Sequence, residues 1–112
     1  MGNAEGEHRF SPDSLTLETG KLYALRLQNV GAEAYYFASP GLAEAVFTRK
    51  VTIMGADGKP SAEVYGAVRR IEVKPGVTAE WWFVPVKTGR FEDVNSTRPH
   101  TEAGMRAVVE VK

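Results

Sequence analysis

The chain has 112 residues, 43% of them hydrophobic, and its 14 Lys and Arg balance 14 Asp and Glu to a formal net charge of zero. That length suits one domain with a core of its own. The even balance and the lack of a basic run exclude the electrostatic footprint of a nucleic-acid binder or of a protein drawn to anionic membranes. No apolar stretch nears the roughly 20 residues that a membrane-crossing helix needs. There is no cysteine, so this chain supplies no thiolate metal ligand, disulfide or cysteine nucleophile.

The first residues, Met1 to Glu7, are polar and lack the basic start and apolar run of a signal peptide. Residues 1–9 read as a flexible leader, in which His8 with Glu5 and Glu7 offers only a nonspecific metal contact. Residues 10–112 read as a single domain. Ser14 to Thr19 alternates Leu15 and Leu17 with polar neighbours, and Thr19-Gly20-Lys21 turns the chain. In Leu22 to Asn29, Tyr23, Leu25 and Leu27 share one face while Arg26 and Gln28 take the other, the period of a half-buried strand. Asn29-Val30-Gly31 is a turn, and Ala34 to Ala38 is a short aromatic strand.

Pro40 to Phe47 is the one stretch with helical character, good for one or two turns. A strand from about Arg49 to Met54 precedes Gly55-Ala56-Asp57-Gly58-Lys59-Pro60, whose turn formers predict an exposed loop. Arg69 to Val73, Thr78 to Val84 and Arg106 to Val111 read as strands, with Lys74-Pro75-Gly76 and Lys87-Thr88-Gly89 as turns. On a strand, Trp81 and Phe83 share a face and Trp82 takes the opposite one. One tryptophan is therefore expected in the core, and the other exposed or covered by the Pro40 to Phe47 segment. With Phe47, Tyr65 and Phe91, an exposed ring would make a docking patch. Seven or eight short strands, with one short helix or helical turn, predict an all-β Greek-key sandwich.

Near the end the chain reads Asn95-Ser96-Thr97-Arg98-Pro99-His100-Thr101-Glu102-Ala103-Gly104-Met105. With cysteine in place of Asn95 this would be a Cys-x4-His-x4-Met ligand loop of a blue-copper site, whose strongest ligand is a thiolate. Three further patterns precede it. These are Phe10 to Leu15 followed by Gly20, Asn29-Val30-Gly31-Ala32-Glu33-Ala34-Tyr35-Tyr36-Phe37, and Ile71-Glu72-Val73-Lys74-Pro75-Gly76. In this order, from about Phe10 to Lys112, they resemble the cupredoxin family, most of all the small periplasmic type associated with bacterial iron uptake and copper handling. The resemblance implies a four-ligand site at Tyr35, Asn95, His100 and Met105, of which only His100 and Met105 keep a ligand type.

Expectations about function follow from that resemblance. It implies a periplasmic, cupredoxin-like binding or accessory module linked to iron or copper uptake or handling, without a blue-copper site and without a required cofactor. Met1 and Gly2 then read as a start placed before a processed chain. The resemblance implies another periplasmic protein or a membrane permease component as partner, and a monomer or weak dimer. Two alternatives stand beside it: copper held at an altered site by His100 and Met105 with an oxygen donor, and accessory oxidation of Fe²⁺. Tyr35 is expected to fill the vacated position and bond to Asn95 or His100, and Asn95 to join that network. Glu92, Asp93 and Glu102 are the carboxylates expected near the loop. No nucleophile constellation, paired-carboxylate motif or phosphate-cradling glycine loop is visible.

Overall fold

The computed structural model describes residues 1–112. It contains nine strands and two five-residue helices: β1 Ser14–Leu17, β2 Tyr23–Gln28, β3 Tyr35–Ala38, α1 Pro40–Glu44, β4 Val46–Met54, β5 Pro60–Val64, β6 Arg70–Val73, β7 Thr78–Pro85, β8 Gly89–Val94, α2 Arg98–Glu102 and β9 Ala107–Val111. One sheet has the order β2-β7-β4-β5 and another β1-β9-β8, with β1 parallel to β9. The β3–β6 pair joins the second sheet through Ala38 and Asn95, which exchange both backbone hydrogen bonds (3.0 and 2.9 Å). The result is an all-β sandwich of two layers.

Period-2 patterning places the core between the layers. In β7 every second residue (Ala79, Trp81, Phe83 and Pro85) is buried, and in β6 Ile71 and Val73 are. Ile71 and Val73, with Phe37, Val109 and Val111 of the same layer, meet the β7 residues across the core. Trp81 is the core tryptophan. Trp82 on the opposite face is capped by the Lys50 ammonium, 5.4 Å from its ring centroid. In the Pro40 to Phe47 segment, Leu42 of α1 turns into the core and Phe47 stays 66% exposed. Phe91 packs against the core, which leaves Tyr65 and Phe47 as the exposed rings of the expected patch.

Three elements differ from the sequence reading. β5 is exposed along its whole length and opens on a proline, so it carries no apolar alternation. β8 is polar and half-exposed, and only its last residue, Val94, is fully buried. α2 arises because Pro99 suits the first turn of a helix and Gly104, at φ 110°, ends it.

Residues 1–9, expected as a flexible leader, are seated on the domain. Met1 is buried, its carbonyl accepts from Val30 N–H (3.0 Å), and Gly2 N–H donates to Arg9 O (2.9 Å). Between those clamps Asn3 Oδ1 accepts from the Glu5 and Glu7 amides, closing a tight loop that presents His8. Gly2 has φ +70° and lies so close to Gly31 and Tyr35 that a Cβ there would stand 2.8 Å from each, contacts that a side chain at this position could not make.

Candidate metal centre

Four segments meet at one pole of the sandwich. β3 supplies Tyr35, fully buried at its first residue, and the turn before it supplies Glu33. That turn is built by Asn29, itself buried. Its Nδ2 donates to Glu33 O (2.7 Å) and Val73 O (2.8 Å), and its Oδ1 accepts from Gly31 N–H (2.9 Å). α2 supplies His100, whose carbonyl accepts from Met105 N–H (3.0 Å). The loop before α2 is pinned from both sides. Tyr36 N–H donates to Ser96 Oγ (2.9 Å) and Ser96 N–H donates to Thr101 Oγ1 (3.0 Å). The N-terminal loop supplies His8.

The three ring systems stack into a small cluster. The His8 and His100 centroids are 4.5 Å apart, and Tyr35 stands edge-on to His100 at 4.8 Å. Tyr35 Oη lies 2.8 Å from His8 Nδ1, a full hydrogen bond. Burial, reinforced by the nearby Glu33 carboxylate, holds the Tyr35 phenol above its ordinary range. It is therefore a neutral group at pH 7 and a poor anionic ligand. The expected bond from Tyr35 to Asn95 or His100 is replaced by this bond to His8.

Of the four positions implied by the resemblance, His100 keeps a side chain only 12% exposed. Met105 is fully buried among the core residues. Asn95 donates through Nδ2 to Asp93 O (2.6 Å) and Ala38 O (3.4 Å), so its amide is spent on backbone carbonyls. The carboxylates expected near the loop are engaged elsewhere. Asp93 accepts from Ser39 Oγ and Gly41 N–H, both at 2.6 Å, Glu92 pairs with Arg90 (2.7 Å), and Glu102 pairs with Arg98 (2.9 Å). Glu33 is the carboxylate at the pole. One oxygen lies 3.4 Å from His8 Nε2 and the other 3.5 Å from His100 Nε2. Donor atoms of His8, Glu33 and His100 all fall within 4.8 Å of one another. A trigonal thiolate copper site does not fit here, because the position in line for the thiolate holds an amide already bonded to the main chain.

No protein-family model matches the sequence, and no curated protein sequence does. Solved structures are similar in fold at low identity. A copper nitrite reductase from Nitrosomonas europaea superposes with a TM-score of 0.68 at 17% identity over 88% of this chain and 32% of its own. The multicopper oxidase mgLAC gives 0.63 at 18% identity over 89% of this chain and 31% of its own. This chain thus spans about a third of either protein. Auracyanin from Roseiflexus castenholzii is matched at nearly its full length, with a TM-score of 0.61 at 15% identity over 98% of this chain and 93% of its own. The chain has a cupredoxin-like fold.

Proposed function

We propose that this chain is a metal-binding accessory module of cupredoxin-like fold, acting in the periplasm in bacterial handling of copper or iron and holding its ion without a thiolate. The observation that carries the reading is the state of the His100 imidazole. Its Nδ1 is buried with no hydrogen-bond partner, and its Nε2 has only the 3.5 Å approach of Glu33. Nε2 makes no hydrogen bond and is the ring nitrogen left free for an ion, at the place where donor atoms of His8 and Glu33 converge with it. The copper-containing neighbours in fold support copper as the ion, and the resemblance to iron- and copper-handling proteins supports the role. Membrane-permease or periplasmic partners belong to the same reading, and no helix is long and apolar enough to cross a membrane.

Elemental analysis of protein purified without chelators, with an absorption spectrum, tests it. The expected result is one copper or iron ion per chain, without the intense blue band of a copper–thiolate bond, and its loss in His100→Ala. Protein that neither carries copper or iron nor takes either up on titration would sink the reading. Oxidation of Fe²⁺ is a separate outcome: oxygen consumption with Fe²⁺ and added copper, abolished in His100→Ala, would make the module an oxidase.

A further inference from the structure

We infer that the ion is held on the outer face of the pole by Nε2 of His8, Nε2 of His100 and the carboxylate of Glu33, and not by Met105. The inference rests on the reading of this pole as metal-binding and assigns its ligands. None of the three donors comes from a ligand position shared with a blue-copper loop except His100, and His8 lies more than ninety residues away from it in sequence.

The geometry of this set suits one shared cation. Contacts of 3.4 and 3.5 Å from Glu33 to the two imidazoles are longer than the 2.7–3.2 Å of a good N–H···O bond. They match the spacing of ligands around one cation. With metal–nitrogen and metal–oxygen bonds of about 2.0–2.2 Å, tetrahedral ligands sit about 3.3 Å apart. One ligand atom from each of the three residues lies within 4.8 Å of the others, so closing onto an ion needs a shift of roughly an ångström, within the reach of the exposed Glu33 side chain. The second ring nitrogen of His8 already meets Tyr35 Oη at 2.8 Å, the outer partner that fixes the orientation of a ligating imidazole. Tyr35 is thus a positioning residue.

The donor set also selects the ion. Two neutral imidazoles and one carboxylate are borderline-to-hard donors carrying a single negative charge, suited to a divalent first-row cation, with Cu(II) the tightest of the series. Three protein ligands on an exposed face leave coordination positions to water. A soft thioether would instead favour Cu(I), but Met105 is fully buried in the core cluster.

Titration of the full chain with CuCl2 against a competing chelator, read by electron paramagnetic resonance, tests the assignment. Wild type is expected to bind one Cu(II) with coupling to two nitrogens. His8→Ala is expected to show one nitrogen and a loss of affinity above about tenfold, and Glu33→Gln a smaller loss, with Met105→Leu unchanged. Glu33 is exposed and His8 half-buried, and neither belongs to the hydrophobic core, so the sandwich is expected to stay folded in both variants. If Cu(II) binds with the same affinity in His8→Ala and Glu33→Gln, the ligand set is wrong while the metal-binding reading stands. If Met105→Leu alone weakens binding, the inner set with Met105 replaces it. If wild type binds no Cu(II), the ligand set falls, and the reading falls with it when Fe²⁺ is not taken up either.

Discussion

Tyr35 Oη meets His8 Nδ1 at 2.8 Å, so the residue standing where the resemblance implies a histidine ligand instead steers a histidine from the N-terminal loop. Because Tyr35 is fully buried and its ring packs edge-on to His100, Tyr35→Phe removes the hydroxyl with little change in packing. The expected stability loss is about 1 kcal/mol, the net worth of one hydrogen bond. Metal affinity should fall by about 10–100-fold, as it does when the outer partner of a ligating histidine is removed. Thermal unfolding of metal-free protein beside a Cu(II) titration separates the two. An affinity equal to wild type would show that the hydroxyl does not position His8.

The same phenol predicts an alkaline limit. Burial, then the Glu33 carboxylate, raises its folded-state ionisation above that of the unfolded chain. The neutral form is therefore favoured by folding. This contribution is complete below the ordinary tyrosine value of about 10 and is lost as pH rises through the higher folded value. Urea unfolding of metal-free protein at a series of pH values from neutral upward should show stability falling above about pH 10. Tyr35→Phe should flatten that fall, and an identical profile in the variant would exclude Tyr35 as its source.

Asn29 carries the turn that presents Glu33. Replacing it with alanine removes two donated bonds and one accepted bond, among them the side-chain bond to the Val73 carbonyl. The expected cost is about 2–3 kcal/mol, from the three lost bonds together. Metal affinity should drop with it, because the Glu33 carbonyl loses its anchor. A loss below about 0.5 kcal/mol by chemical denaturation would mean that water replaces the amide.

Much of this fold is legible in the sequence because burial there follows strand period. Leu25 and Leu27 in β2, and Trp81 and Phe83 in β7, show it directly. β5 was hidden because Pro60 to Val64 buries nothing and has only backbone pairing to β4 to define it. At the site, His100 was marked by its loop. His8 was not: no local pattern distinguishes a histidine in a polar leader, and its meeting with His100 is made by the clamps of Met1 and Gly2. Nothing local marks Glu33, whereas Glu92, Asp93 and Glu102 are nearer the loop in sequence but are held by Arg90, Ser39 with Gly41, and Arg98. Proximity along the chain ranked the carboxylates, whereas the Asn29 turn decides which one reaches the pole.

The seating of the N-terminal loop yields the sharpest test of how the pole is assembled. A Cβ on Gly31 would stand 2.9 Å from Tyr35 Cε2 and 3.3 Å from Gly2 Cα. The same Cβ would stand 3.3 Å from Tyr35 Oη, and since the Tyr35 ring is fully buried, the Gly31 backbone must give way, disturbing the facing Gly2 and a loop held by a few backbone bonds. Gly31→Ala should therefore lift residues 1–9 and carry His8 away from His100 while the sandwich stays folded. Metal affinity is expected to fall to the level of His8→Ala, and the double variant should lose nothing further. Non-additivity of this kind is the mark of two changes acting through one contact. Amide hydrogen exchange should rise at Val30, whose N–H donates to Met1 O, and stay unchanged in β7. Fully additive losses in the double variant, or an unaltered Val30 amide, would show that Gly31 acts on the site by some route other than the seating of His8.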